Sequence, residues 1–381
     1  MKARDLVERT REKVPGLRRR EKPEPLRPDP LPAHDATGDE PALPPIPTMG
    51  VGSVAVPGWF SLVRKQLRDA TFGQVDAEEL YADVEAIAVA DQIEAGLDIV
   101  SDGEVRRQRF VYEMHDRFTG LERLEPQRRL GVFGPDQVPQ FSVTGAVDAP
   151  TGLGVVADFE RLRALAPGRA LKVSVPGPLT LMGLVRHARR SEESVLDDFV
   201  RIVRREVERL LQAGAHRIQI DEPALSHPSH GLSLVAAGQV VNRCMEGTTG
   251  RFSVHVCFGN LAGRPAFERS YQRLLPAIET LICHELVMEF ANREMAEIEL
   301  LAGLSQRFNI AAGVVDVKSF HVESADEVAR RLERVLKFVP AGKLTATADC
   351  GFSALPRGVA KGKMAALAEA VALVRQVAGG E

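Results

Sequence analysis

From residue 46 onward, short apolar runs alternate with amphipathic stretches along the chain. The stretches at 76–96 and 195–215 repeat apolar residues at helical spacing and end at or next to glycine, which predicts helices. The apolar runs have the length and composition of buried strands and lie at 46–53, 97–104, 171–178, 217–224, 251–258, 286–293, 309–319 and 344–351.

Eight strands that alternate with helices imply parallel pairing through right-handed crossovers. The pattern therefore predicts an α/β protein with a (β/α)8 TIM barrel. An open doubly wound sheet is the alternative, but no G-x-G-x-x-G turn follows the first strand. Residues 105–170 are too many for a structureless loop, and "QFSVTGAVD" at 140–148 alternates as strands do. We therefore expect a β-rich insertion between strands 2 and 3, over one mouth of the barrel.

The beginning of the chain has a different texture. Ten of the 24 prolines lie in the first 50 residues, beside the basic stretch "RRREKPEPLRPDPLP". Proline blocks helix and ladder pairing, so we interpret residues 1–45 as a disordered, proline-rich basic tail. Residues 46–381 are then the barrel domain.

Composition narrows the partners and the compartment. The 381 residues carry a net charge of −3, which gives no reason to expect nucleic acid. No apolar run is long enough to span a bilayer, and nothing resembles a signal peptide. Four cysteines in such a chain do not make a disulfide framework, so we expect a reducing, cytoplasmic location.

Polar and soft side chains follow the predicted strands at the ends where barrels collect functional groups. His255 and Cys257 are two residues apart, so a strand would point both to one face. Together with Glu289 and Cys350 they offer one nitrogen, two sulfurs and one oxygen, a set that suits zinc. The alternative is that the cysteines are ordinary buried residues. Cys244 and Cys283 fall in helix-like stretches and are interpreted as packing residues.

Five segments in order, "RIQIDEPAL", "HVC", "LVMEF", "GVVDVKS" and "DCG", resemble the catalytic domain of cobalamin-independent methionine synthase. The resemblance runs from about Thr48 to the C terminus, in a short, single-barrel form with a proline-rich tail where full-length members carry a second barrel. It implies zinc held by His255, Cys257, Glu289 and Cys350. It also implies that zinc presents the homocysteine thiol as a thiolate, which accepts a methyl group to give methionine.

The same resemblance implies a homocysteine site made by Gly52, Ser53, Glu104 and Asp221. Asp221 and Lys318 are the catalytic candidates, and Lys318 stands where the family has a histidine proposed as proton donor. Lys318 has an alternative role as a plain ion-pair partner of Asp316 or Glu323. The family's folate-binding turn and tryptophan have no counterpart here, so the resemblance does not identify the methyl donor. A folate and a corrinoid protein stay open as the expected donor.

Two other functions stay open on the sequence alone. The first is a zinc-dependent alkyltransferase that acts on another thiol, such as coenzyme M with an epoxide. Lys318 or an arginine of "EVRRQR" would suit the sulfonate of that thiol. The second is a non-catalytic barrel that binds a small thiol or a corrinoid protein.

Overall fold

The computed structural model describes residues 40–68, 71–107, 111, 114–125, 140–187, 190–226, 231–260, 265 and 268–378. Its centre is a closed barrel of eight parallel strands. The barrel strands are β1 (Thr48–Met49), β2 (Ile99–Val100), β5 (Ala170–Pro176), β7 (Arg217–Asp221), β8 (Arg251–Val256), β9 (Glu285–Glu289), β10 (Asn309–Val315) and β11 (Leu344–Ala348). Around the barrel they lie in the order β1-β11-β10-β9-β8-β7-β5-β2. Each coincides with one of the predicted runs, and the expected (β/α)8 fold is confirmed.

The predicted insertion is also a β structure. Strands β3 (Thr119–Leu124), β4 (Gln140–Asp148) and β6 (Val185–Arg186) form a separate sheet in the order β3-β4-β6. In the sequence, β3 and β4 lie between β2 and β5, and they pair with each other antiparallel. β6 follows β5 in the sequence and pairs parallel with β4. Because these segments follow the carboxyl ends of β2 and β5, the small sheet belongs to the mouth where those strands end.

Helices alternate with the barrel strands and cover their outer faces. The α-helices are α1 (Gly58–Arg68), α2 (Gln74–Glu94), α3 (Val155–Leu165), α4 (Pro178–Met182), α5 (Glu192–Gln212), α6 (Leu234–Asn242), α7 (Tyr271–Ile278), α8 (Leu301–Leu304), α9 (Ala325–Leu336) and α10 (Arg357–Ala378). Helix α5 shows why they form: the Ser191 side chain caps its first turn, and Phe199, Ile202 and Val203 bury its apolar face.

The first 39 residues of the predicted tail lie outside the described residues. Residues 40–45, which the sequence analysis assigns to the tail, contact the barrel. Glu40 pairs with Arg217 at the start of β7, and Leu43 packs against a buried cluster that includes Met49. Within the described part of the chain, no helix has both the length and the apolar character to cross a membrane.

Candidate metal centre and substrate site

Three soft donors meet at the mouth of the barrel. His255 and Cys257 come from the end of β8, and Cys350 follows β11. One ligand atom of each lies within 4.8 Å of the others, although β9 and β10 separate the two strands in the barrel order. His255 and Cys257 are buried, and Cys350 is half-buried. The barrel therefore gathers a nitrogen and two sulfurs around one point.

A carboxylate fixes the orientation of His255. Its Nδ1 lies 3.0 Å from Asp221 Oδ1, at the end of β7. Its Nε2 is buried and makes no hydrogen bond with any described residue. Metal-binding histidines characteristically use one ring nitrogen for such a carboxylate and the other for the metal. Asp221 thus contacts the candidate ligand set, a role that the sequence did not reveal.

The three donors also differ in their pKa values. A hydrogen bond from Cys257 and the proximity of His255 hold the pKa of Cys350 well below its usual range, against the effect of burial. The pKa of Cys257 is raised by the same hydrogen bond and by burial. Burial lowers the pKa of His255, but Asp221 and Cys350 outweigh it and raise the pKa to about 10. The thiol of Cys350 is therefore the one most disposed to ionise, which is the form that binds metals.

Glu289, the fourth predicted ligand, lies fully buried at the end of β9, outside the compact group of three. Its Oε2 accepts a hydrogen bond from Lys318 Nζ at 3.0 Å, and its Oε1 has no partner among the described residues. Burial raises the pKa of Glu289, and the Lys318 ammonium opposes that rise. Lys318 therefore leaves one carboxylate oxygen unengaged.

The alternative in which the Lys318 side chain pairs with Asp316 or Glu323 is wrong. Asp316 Oδ1 accepts only the backbone N–H of Lys318, at 2.7 Å. Glu323 is held by the fully buried Lys363 at 2.6 Å and by Arg331. The Lys318 side chain is thus free to reach Glu289 on the neighbouring strand.

Asp349, the first residue of "DCG", holds the backbone that follows Glu289. Its Oδ1 accepts the N–H groups of Phe290 and Ala291, and its Oδ2 accepts that of Asn292. Burial raises the pKa of Asp349 to about 7, and these backbone donors oppose the rise. The residue next to Cys350 thus fixes the strand end that carries Glu289.

Two glycine contacts bring the predicted substrate residues to the same mouth. A Cβ on Gly52 would lie 2.4 Å from Glu104 Oε1, so the carboxylate rests directly against that backbone. A Cβ on Gly351 would lie 2.1 Å from Ser53 Oγ. The ends of β1, β2 and β11 therefore pack without intervening side chains, and Ser53 lies beside the turn that carries Cys350.

Glu104 stands in an acidic environment. Burial raises its pKa to about 8, Asp221 and Asp102 add to the rise, and Arg107 at 3.6 Å opposes it. Arg107 is itself buried and donates to the carbonyl of Ser174 at 2.7 Å. The carboxylates of this region are only partly balanced by cations, so the site is suited to a positively charged group.

Sequence reasoning missed Lys172 and Gln219, which lie buried on β5 and β7 beneath the site. A lysine inside the mostly apolar β5, and a glutamine between Ile218 and Ile220 of β7, were the available signal. A cavity of about 860 Å³ lies elsewhere. Its wall contains Arg106, Arg107, Arg117, Arg161 and Arg209, and it shares only Arg107 with the surroundings of Glu104. It contains none of the candidate metal ligands.

Comparison with known proteins agrees with this geometry. Residues 46–375 match the family model described as cobalamin-independent synthase, catalytic domain. The chain belongs to the cobalamin-independent methionine synthase family. It is 27% identical to methionine synthases of Saccharolobus solfataricus and Saccharolobus islandicus, and in both cases the match covers 88% of this chain and 96% of the relative.

A solved structure of a B12-independent methionine synthase from Shewanella, in complex with selenomethionine, has the same architecture. It is 26% identical, with a TM-score of 0.74, and the match covers 89% of this chain and all of that one. The resemblance stated from the sequence is therefore confirmed, and the protein is a methyltransferase of the methionine synthase type. Methyl transfer to homocysteine agrees with all three comparisons.

Proposed function

We propose that the barrel binds one zinc ion through His255, Cys257 and Cys350, with Glu289 as the fourth ligand, for the methylation of homocysteine. The observation that carries the proposal is the meeting of one imidazole and two thiols within 4.8 Å. The buried Nε2 of His255 and Oε1 of Glu289, which have no partner among the described residues, complete a donor set typical of zinc. When bound, zinc supplies a Lewis acid that lowers the pKa of a substrate thiol.

The residues of the chain then bind and orient the substrate. We propose that Asp221 and Glu104 bind its ammonium group, whose charge stabilises the ionised form of the buried Glu104. The hydroxyl of Ser53 and the backbone at Gly52 bind its carboxylate. This acidic region supports an amino acid as the thiol substrate rather than a sulfonate. It argues against coenzyme M, since Lys318 is paired with Glu289 and Arg107 lies against Glu104.

For Lys318 we propose a role through Glu289. Burial lowers the pKa of its ammonium, but Glu289 and Cys350 outweigh this and raise it, so the group holds its proton tightly. Such a group serves better to neutralise and orient a carboxylate than to donate a proton during turnover. In the reaction itself, the S–CH3 bond forms as the donor's bond to the methyl group breaks, and the donor leaves with the electron pair.

The donor is proposed to be a folate or a corrinoid. Mass spectrometry of product formed from homocysteine, with methyltetrahydrofolate and methylcobalamin offered in parallel, distinguishes the two. Methionine is the expected product with one of them. A chain that forms methionine with neither donor, or that prefers a sulfonated thiol, would contradict the proposal.

The metal is tested by the zinc content of purified variants. Cys257→Ser and Cys350→Ser should each lose zinc, because each removes one of the two thiolates. Cys244→Ser is the matched control, since Cys244 is fully buried in the apolar core and should not affect zinc. Equal zinc content in all three variants would refute the ligand assignment.

A further inference from the structure

A chain of hydrogen bonds runs from inside the barrel to the candidate metal centre. It begins at Lys172, whose ammonium is buried on β5. Nζ donates to the carbonyls of Gly50 and Val51 at 2.5 and 2.7 Å and to Gln219 Oε1 at 2.8 Å. A lysine ammonium has three donors and no acceptor, so these three partners satisfy it completely.

Lys172 decides which way the Gln219 amide faces. Because Nζ can only donate, the oxygen of the amide must point toward it and the nitrogen away. Gln219 Nε2 accordingly lies 2.6 Å from Asp221 Oδ1 and 2.8 Å from the carbonyl of Val51, both of them acceptors. The amide of Gln219 therefore accepts a hydrogen bond from Lys172 and donates one to Asp221.

Asp221 Oδ1 receives two donors, the amide of Gln219 and Nδ1 of His255. An imidazole that binds a metal through Nε2 carries its proton on Nδ1, and Asp221 Oδ1 is placed to accept that hydrogen bond. Nε2, which has no partner among the described residues, is then the ring nitrogen available to the metal beside Cys257 and Cys350. The same lysine also holds the backbone of Gly50 and Val51, directly before Gly52 and Ser53 of the predicted substrate site.

We propose that Lys172 and Gln219 are positioning residues that present His255 to the metal and fix the end of β1 against it. This inference rests on the zinc site proposed above. The hydrogen-bond chain joins the substrate side of the mouth to the metal side through two buried residues that lie outside both the proposed substrate-binding set and the proposed ligand set. Loss of the Gln219 amide should therefore weaken metal binding without exposing the site.

The test replaces Gln219 with methionine, which keeps the size and removes both hydrogen-bonding groups. The zinc Kd, measured by competition with a chelator, should rise by about 10- to 100-fold, the range typical of a lost partner of a metal-binding histidine. The d–d absorption spectrum of the cobalt-loaded variant should change as well, since the imidazole is no longer held. Asn242→Leu is the control. Asn242 is a buried amide on α6 that bonds to backbone at Thr280 and Ile282, and its loss should leave the zinc Kd unchanged.

A double-mutant cycle with Asp221→Asn locates the effect. If Gln219 acts through Asp221, then Gln219→Met should weaken zinc little further once Asp221 is changed. Should Gln219→Met not fold, Gln219→Asn keeps the amide but is one methylene too short to reach both partners, and it should also weaken zinc. Equal zinc Kd values in a folded Gln219 variant and in Asn242→Leu would overturn the inference alone. A wild-type chain that binds no zinc would instead refute the proposed metal site, and this inference with it.

Discussion

Glu104 adopts a conformation that is unfavourable for a glutamate. Its backbone is left-handed, with φ +55°, directly after Gly103 at φ +67°. For a residue with a side chain this conformation costs about 1–2 kcal/mol. Its carboxyl group is also buried beside other acids. Strain and buried charge of this kind cluster at functional positions.

Glu104→Gln tests this interpretation through pH. The folded pKa of about 8 lies above the ordinary 4.5, so the folded protein binds this proton more tightly than the unfolded chain does. The contribution of Glu104 to stability is therefore fully present below about pH 4.5 and is lost as the pH rises through about 8. Between pH 5 and pH 8 the free energy of unfolding, measured with denaturant, should fall in wild type by on the order of a few kcal/mol more than it does in Glu104→Gln.

Two further observations check the Glu104 assignment. Identical pH dependence of unfolding in wild type and Glu104→Gln would show that the carboxyl is not perturbed. If Glu104 binds the substrate ammonium, the variant should also bind homocysteine about one to two decades more weakly, as expected for a hydrogen bond to a charged group. Its zinc content should not change.

The sequence could name the chemistry of single residues better than their partners. The types and spacing of His255, Cys257 and Cys350 were sufficient to suggest a metal set, because alternation in a strand puts positions i and i+2 on one face. The pairing of Lys318 with Glu289 was not predictable. It depends on how far β9 and β10 are staggered, and local sequence favoured the nearer Asp316 and Glu323.

At the level of elements, the barrel strands were predictable because each is a short apolar run bounded by turn residues. Strand β6 was missed, since two residues carry no alternation that could be read. The presence of Lys172 and Gln219 within two of the predicted strands could be read from the sequence. Their hydrogen bonds were not, because those depend on the register between β5 and β7, in which Ser174 lies opposite Gln219.

The close packing of strand ends gives a prediction about Gly351. Gly351→Ala would place a methyl group 2.1 Å from Ser53 Oγ, so Ser53 must move. If Ser53 binds the substrate carboxylate, the KM for homocysteine should rise by about tenfold to a hundredfold.

Gly342→Ala is the matched control for that substitution. Gly342 precedes the other end of the same strand, β11, and a Cβ there meets no atom within 4 Å. Steady-state kinetics of both variants decide the matter. A KM in Gly351→Ala no higher than in Gly342→Ala would remove Ser53 from the substrate site.

At the scale of the whole molecule, two deletions test where the tail ends and the barrel begins. Removal of residues 1–39 should leave both the Tm and the zinc content unchanged, because the sequence predicts a proline-rich tail that adds little to the fold. Removal of residues 1–45 should lower the Tm. It deletes the ion pair of Glu40 with Arg217, the packing of Leu43 and the carbonyl of Pro45, which accepts from Arg375. Thermal unfolding of the two truncated chains, followed by circular dichroism, measures the difference. Equal loss of stability in both would mean that residues 1–39 also contribute.

Closure of the barrel places β1 beside β11, so strands from opposite ends of the chain meet at one site. The two ends contribute different groups of residues to it. The proposed metal ligands all come from the ends of β8, β9 and β11, whereas Gly52, Ser53 and Glu104 come from the ends of β1 and β2. Most of the residues that would choose the thiol are thus encoded separately from those that would activate it, and Asp221 at the end of β7 contributes to both. Exchange of the segments after β1 and β2 between relatives is accordingly a route to new acceptor thiols with the metal chemistry retained, provided that Lys172, Gln219 and Asp221 are kept as the connection between the two groups.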